Sequence, residues 1–489
     1  MNFWFVTGTQ PLYGEAPFSQ IAENTRRMVN GLNASPHIPW EILWCPPVSC
    51  PEEISAILGQ ADNDKECAGV IAFMHTFSPA KMWIAGLSRF SKPYCHFHTQ
   101  YNREIPWGTI DMDFMNLYQS AHGDREHGFL GARLRKPRKI IAGYWEHADV
   151  QARLGDFMRA AAGIRASRGL KVARFGDNMR QVAVTEGDKI EAEIRLGWSV
   201  NTYPVSELAA YVKGVSQKET EQLLDTVRKQ YTLCTEDLES VRYQLRLEIG
   251  LRRFLERGGF DAFTTTFEDL NSLEQLPGLA CQRLMADGYG FGAEGDWKTA
   301  ALTCVMKRMA LGLAGGTSMM EDYTYHLPEG EESVLGSHML EVCPSIAGDL
   351  PRIEVHPLGI GGKAAPARLV FSGASGNAIC ASMVDMGGRL RLLTADVEAM
   401  PPKQPMPRLP VAAVMWKPLP ELQTAAEAWL LAGGAHHTVM SYPLKADHLQ
   451  DFAMFAGIEF IHIGRETKVE ELRNELRWNE LAYKLDMGG

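Results

Sequence analysis

The stretch from 280 to 300, ACQRLMADGYGFGAEGDWKTA, admits two readings, and the choice between them decides which fold the chain is given. Gly290, Gly292 and Gly295 spell G-x-G-x-x-G, the fingerprint that brings backbone up to a dinucleotide pyrophosphate at a helix N-terminus. Such a loop must be fed by a strand. The residues ahead of Gly288 read as the end of a helix, and Glu294 falls inside the motif, where it would face a doubly negative pyrophosphate. An NAD-dependent oxidoreductase is set aside on both counts. What remains is a carboxylate between Ala293 and Gly295, on a turn that feeds a helix-like run from Asp296 to Leu313. Apolar packing has no use for a glutamate there; a cation or a reacting proton has. The bland alternative is a glycine turn with a solvated glutamate.

Working outward, strands and helices alternate. Phe3 to Thr7 reads as a buried strand, and Ile21, Thr25, Met28, Val29 and Leu32 keep helical spacing. Trp40 to Cys45 is a strand, Pro51 opens a helix where its missing N–H costs nothing, and Ala68 to Phe73 is a third strand. Ser78-Pro79 reads as cap and first residue of the next helix, with a strand from Tyr94 to Phe97. Lys171 to Phe175 begins a second unit, continued by a helix from Leu238 to Glu256 and a strand from Ala262 to Phe267. Alternation of this kind indicates parallel, doubly wound sheets. Beyond Gly316 the pattern becomes short β-runs, Arg368 to Ser372, Ala378 to Asp385 and Arg389 to Leu393, with helices from Leu422 to Leu431 and Glu470 to Leu485. The expected fold is α/β: two doubly wound parallel-sheet domains, 1–170 and 171–316, then a β-rich C-terminal domain, 317–489, with flanking helices. A length of 489 residues suits about three domains of ordinary size.

Composition narrows the function classes. The chain is 45% hydrophobic and 22% charged, and its net charge of -10 shows no basic stripe, so neither nucleic acid nor an anionic membrane is an expected partner. The opening MNFWFVTGTQ lacks a basic n-region, and no apolar run reaches membrane-spanning length. Nine cysteines without a C-x-x-C pair fit reduced, buried thiols and a cytoplasmic location.

Four places hold charged or imidazole groups among apolar or glycine neighbours. Glu294 is one. Glu321 follows Met319-Met320 at what reads as a strand start, His338 lies in VLGSHMLEVCPS, and His436-His437 follows Gly433-Gly434. Buried ionisable groups cost several kcal/mol unless paired or metal-bound, so each position is a site candidate. Singly, each has a plain structural explanation as a hydrogen-bonded core histidine or a helix cap. Together, two carboxylates and imidazoles without a thiolate favour Mn²⁺, Co²⁺ or Mg²⁺ over a structural zinc. The gaps of 27, 17 and 99 residues between Glu294, Glu321, His338 and His437 are too long for spacing alone to unite them.

Ordered strings along the whole chain carry a resemblance. FVTGTQ with LYG, HTFSPAKMW, FHTQ, DMDFMNL, FGDNMR, TTTFEDL, AEGDWKTA, GGTS with MEDYTYH, LGSHMLEVCPS, LGIGGK and AGGAHHTV make the chain similar to the L-arabinose isomerases. The resemblance implies two doubly wound domains and a β-rich third, a homohexamer, and one divalent ion per subunit, usually Mn²⁺. It implies conversion of L-arabinose to L-ribulose, with D-galactose to D-tagatose as a second reaction. By motif, the metal ligands become Glu294, Glu321, His338 and His437, and the two glutamates carry the proton chemistry through an enediol. Sugar contacts map to Gln10, Leu12, Met179, Phe267 and Ile360. Tyr13, Phe77, Gln119 and His122 are the positions that reach across to a neighbouring subunit. Two departures stand out: Pro11 where the family usually has His before Leu-Tyr-Gly, and a shorter stretch after Tyr231. An isomerase of a related sugar such as L-fucose, and a non-catalytic sugar-binding protein, are the competing expectations.

Overall fold

The computed structural model describes residues 1–13 and 15–486, and their contacts divide into two compact units, Met1–Arg165 and Ala166–Gly489. The first unit is built on β1 (Asn2–Gly8), β2 (Ile42–Trp44), β3 (Cys67–Met74), β4 (Tyr94–His98) and β5 (Lys139–Ala142). All pair in parallel, in the order β2-β1-β3-β4-β5. The central strand β3 is buried at every residue, as a strand covered on both faces must be. The helix Glu15–Asn33 buries Ile21, Thr25, Met28, Val29 and Leu32, the set its spacing predicted. Pro51 does open the helix Pro51–Asn63. The expected cap at Ser78 is absent: a 3₁₀ turn, Ala80–Trp83, precedes the short helix Ile84–Arg89, and neither start has a side-chain cap. The Ser78 hydroxyl is engaged elsewhere, accepting from the Trp83 indole N–H at 3.0 Å.

The second unit begins with β6 (Lys171–Phe175), β7 (Ser199–Tyr203), β8 (Thr232–Leu233), β9 (Ala262–Thr264) and β10 (Gly290–Gly292). Four of these form a parallel sheet in the order β10-β9-β6-β7. The helix Leu279–Ala286 does end ahead of Gly288, as the sequence reads; what it conceals is β10, which contains the first two glycines and feeds the turn. Gly-Phe-Gly hides it, because it lacks the β-branched residues that mark strands. The argument against a dinucleotide now rests on space. A Cβ at Gly290 would lie 2.1 Å from the Ala300 carbonyl oxygen, and one at Gly292 2.2 Å from that of Asp296. One at Gly295 would lie 2.5 Å from the Asn178 Cα. The protein's own backbone takes up the room that the fingerprint reserves for a ligand. The helix after the turn runs Trp297–Met309, shorter than expected, and Asp296 caps it by accepting from the Thr299 N–H.

The remainder contains β11 (Thr317–His326), β12 (Ser333–Ser337), β13 (Arg352–Val355), β14 (Ala367–Val370), β15 (Gly376–Asp385), β16 (Leu390–Met400), β17 (Ala413–Pro418), β18 (His437–Ser441) and β19 (Glu459–Ile463). The order β15-β18-β11-β12-β17-β16 closes on itself through β15–β16 pairing into an antiparallel barrel, with β19 added to β16 in parallel. Short β14-β13-β8 pairing forms a separate sheet. Glu321 therefore stands in the middle of a ten-residue strand rather than at its start. The two faces of β11 serve two cores. Met320 packs with Val334, Cys380, Val397, Trp416 and Met440, whereas Met319 joins the core of the parallel sheet with Phe263 and Phe291. The helix Trp297–Met309 packs on β9 and β10 and also on β11 and β18, which explains its burial almost all round. The turn at Glu294 is thereby delivered to the outer wall of the barrel.

Candidate functional site

Glu294 adopts φ +60°, a left-handed conformation that a glutamate reaches only when its surroundings fix it. The backbone is held from two sides: its carbonyl accepts from the Met179 N–H at 3.0 Å, and the Gly295 N–H donates to the Thr265 carbonyl at 2.9 Å. The strained turn projects the carboxylate to 3.6 Å from His436 Nε2 and 3.8 Å from His437 Nε2. The nearby His436 imidazole, supported by His437 and His338, holds the Glu294 carboxyl below the usual carboxylate range, against the opposing effect of burial.

The barrel register brings the other groups alongside. Glu321 on β11 pairs directly with His437 on β18 and with Ser337 on β12, the residue before His338. His338 Nε2 lies 3.9 Å from Glu321, and the His338 and His437 rings are 5.8 Å apart between centroids. The four groups that sequence spacing could not unite thus face one region. The tightest cluster among the described residues, with ligand atoms all within 4.8 Å of one another, is Glu294, His436 and His437. His436, named with His437 among the candidate positions, is not one of the ligands that the resemblance implies, yet it stands in this cluster.

Two carboxylates orient the imidazoles. His437 Nδ1 donates to Asp296 at 3.2 Å and His338 Nδ1 to Glu341 at 2.5 Å, in each case leaving Nε2 to face the site. Burial alone would raise the Asp296 carboxyl, but Lys298 and His437 hold it down at about 2. Burial likewise opposes a charged His338, and Glu341 outweighs it to raise that ring's pKa. Neither carboxylate was foreseen. Asp296 reads as an ordinary helix cap, and only the i,i+3 spacing of His338 and Glu341 could have signalled the second pair. The result at His437 is telling: the ring is fully buried, and its Nε2 has no hydrogen-bond partner among the described residues. A buried orphan nitrogen aimed at a carboxylate is costly unless a cation lies between them. The donor set, carboxylate and imidazole without thiolate, suits a hard or borderline divalent ion. On the opposite face of β11, Asp322 lines an apolar cavity of about 60 Å³ with Tyr325, Trp416 and Thr438; burial pushes its carboxyl up to about 7, and Glu321 adds to the shift.

Of the expected sugar contacts, Met179 adjoins Glu294 through the backbone bond above, and Phe267 stacks on His338 at 6.0 Å and 7°. Ile360 packs on the same core as both, and Gly361 beside it approaches the Phe267 carbonyl. The remaining positions belong to the Met1–Arg165 unit, at the carboxyl ends of its strands. Gln10 follows β1, and Leu12 and Tyr13 fall in the 3₁₀ turn Pro11–Tyr13, with Leu12 79% exposed. Phe77 follows β3 and meets the His122 ring at 4.7 Å. Gln119 precedes the helix Ser120–Arg133, which carries His122, and its carbonyl accepts from the His122 N–H at 3.0 Å. Residues beyond the carboxyl ends of β1 and β3, where the strand order reverses, occupy the usual ligand crevice of an open parallel sheet.

Comparison with known proteins agrees along the whole chain. Family models described as the L-arabinose isomerase N-terminal, central and C-terminal domains match residues 1–169, 171–312 and 316–459. The L-arabinose isomerase of Geobacillus stearothermophilus is 55% identical over 489 residues, covering 99% of this chain and 98% of the relative. L-arabinose isomerase 1 of Bacillus licheniformis is 56% identical over 485 residues, and the L-arabinose isomerase of Thermotoga maritima 54% over 486, each with 99% and 98% coverage.

Proposed function

Because the chain belongs to the L-arabinose isomerase family, we propose that it converts L-arabinose to L-ribulose at the Glu294–Glu321 site, with Mn²⁺ as its cofactor and Co²⁺ or Mg²⁺ as substitutes. The observation that carries the metal reading is the orphan Nε2 of buried His437 facing Glu294. Glu294, Glu321, His338 and His437 would hold the ion, with His436 beside them. When bound, a divalent cation supplies Lewis-acid stabilisation of the negative charge that develops on the sugar oxygens.

The chain's own residues do the rest. Isomerisation removes the proton from C2 of the open-chain aldose, passes the O2 proton to O1, and returns a proton to C1, through an enediol. Glu294 is wedged among imidazoles that favour its ionised form, which makes it a firm ligand and a weak base. Among the described residues one imidazole comes within 4 Å of Glu321, that of His338 at 3.9 Å, and that ring's other nitrogen is committed to Glu341. Glu321 is therefore the freer carboxylate, and we assign it the proton transfer between C2 and C1. Glu294 accepts a hydrogen bond from the sugar hydroxyl at the same carbon pair. Phe267, Met179 and Ile360 supply apolar surface for the carbon chain and exclude water.

A panel of sugars assayed for ketose with and without added Mn²⁺ tests the proposal. L-arabinose should give ketose in the presence of metal; full turnover after chelation, with metal content confirmed near zero, contradicts the metal reading. In deuterated water the enediol path places deuterium on product carbon, whereas complete retention of the original hydrogen indicates a hydride shift. The same family membership supports three further readings: D-galactose as a second substrate, a homohexamer whose sites are completed by a neighbouring subunit, and a cytoplasmic location.

A further inference from the structure

The layer between β4 and the helix Ser120–Arg133 is polar where an apolar one would be cheaper. Tyr94, His96 and His98 share one face of β4, and Asp124 and His127 share the buried face of the helix. His96 Nε2 donates to one Asp124 oxygen at 2.7 Å and His98 Nδ1 to the other at 2.6 Å. Tyr94 and His127 pair at 2.6 Å, and the His96 and His127 rings meet edge to face at 5.0 Å. Asp124, His96 and His127 are almost wholly buried, and the remaining ring nitrogens of both histidines lack a partner among the described residues. Buried polar groups cost stability unless they are hydrogen-bonded, and a bonded polar layer fixes one arrangement.

Two features show what this one fixes. The helix presses so closely on the end of β3 that a Cβ at Gly123 would meet the Thr76 carbonyl at 2.5 Å, which seats its first turn, with His122, against Phe77. His98, the last residue of β4, is the one member of the network that reaches solvent, its side chain 40% exposed at the carboxyl edge of the sheet. Its Nδ1 is committed to Asp124, and its Nε2 makes no hydrogen bond among the described residues. The Asp124 contact also raises the pKa of His98, against the effect of burial.

We infer that Asp124 is a positioning residue that holds His98 as a further sugar-hydroxyl-binding group, at the same carboxyl end of the parallel sheet as Gln10 and Phe77. Both oxygens of one carboxylate grip the edge of β4, and the helix that bears the carboxylate carries His122 and begins directly after Gln119. The inference rests on the sugar reading above, and on nothing at the Glu294 centre.

The test compares Asp124→Asn and His98→Gln with the unaltered protein. An amide keeps one acceptor and turns a donor toward the second imidazole, so it breaks the two-sided grip. Both variants should raise KM for L-arabinose about tenfold, the worth of one hydrogen bond, with kcat within about twofold and calorimetric Mn²⁺ affinity unchanged. Unchanged KM in both, or kcat falling in step with the folded fraction, overturns the inference. Should Asp124→Asn fail to fold, His98→Gln decides, because a half-exposed side chain tolerates the change. An unaltered protein with no turnover of L-arabinose counts against the proposed function, whereas turnover with indifferent variants counts against this inference alone.

Discussion

Glu294 concentrates the chemistry of the site in one backbone torsion. Its neighbours Ala293 and Gly295 announce a turn in the sequence, and the left-handed φ is the form that turn takes. Glu294→Gln and His437→Ala should each abolish turnover and Mn²⁺ binding while the chain stays folded, as titration calorimetry and thermal melting would show. Glu321→Gln separates the roles assigned above: it should cost far more in turnover than in Mn²⁺ affinity, and loss of both in equal measure would return the two glutamates to one role. Asp296→Asn removes the acceptor that orients His437 and should weaken Mn²⁺ binding by about 10–100-fold. These orienting carboxylates were the least legible part of the site. A capping aspartate looks the same in sequence whether or not an imidazole from 141 residues away leans on it. His436 adjoins His437 in the sequence, and adjacency alone does not show that both rings face Glu294. His436 precedes β18, outside the strictly alternating segment.

At the level of elements, long periodic segments were readable and short unusual ones were not. The helix Leu422–Leu431 falls on the expected residues, and the helix Glu15–Asn33 buries the expected face. The strand β10 and the 3₁₀ turn Ala80–Trp83 escaped, one for want of strand-forming residues and one because Ser78-Pro79 imitates a cap. The glycines of β10 are there for contact with the helix Trp297–Met309. Gly290→Ala places a methyl group 2.1 Å from a backbone oxygen and 2.8 Å from the Cys304 Cβ, with rigid neighbours on both sides. It should destabilise the protein by about 1–3 kcal/mol, the usual range for overpacking, and urea denaturation would register it.

For the molecule as a whole, the class of fold could be read from alternation and from its breakdown after Gly316, but closure of the barrel could not. Closure depends on β15 pairing with β16 and β18 at once, a long-range fact with no local signature. Among the described residues, no helix is long and apolar enough to cross a membrane. Acid should weaken the fold through the buried His75. Burial drives the His75 pKa down to about 4, although its bond to the Leu117 carbonyl works the other way, and Asn24 faces its second nitrogen. Unfolded, the ring takes up a proton below about pH 6.5. Between that value and about 4 the unfolded chain binds one more proton, so this residue lowers stability by about 1.4 kcal/mol for each unit of falling pH. His75→Gln should flatten that part of the profile, measured as urea midpoints at pH 7 and pH 4.5.

The facing of Glu321 and His437 across β11 and β18 also bears on how such a chain can change length. Side chains alternate along a strand, so inserting or deleting one residue within Thr317–Met320 would turn Glu321 indoors and offer the sugar a methionine or Asp322 instead. Insertions in the connection between His326 and Ser333 leave that parity untouched. Viable length variants should therefore gather in the hairpin tip and be missing from the four residues that count out the position of the glutamate.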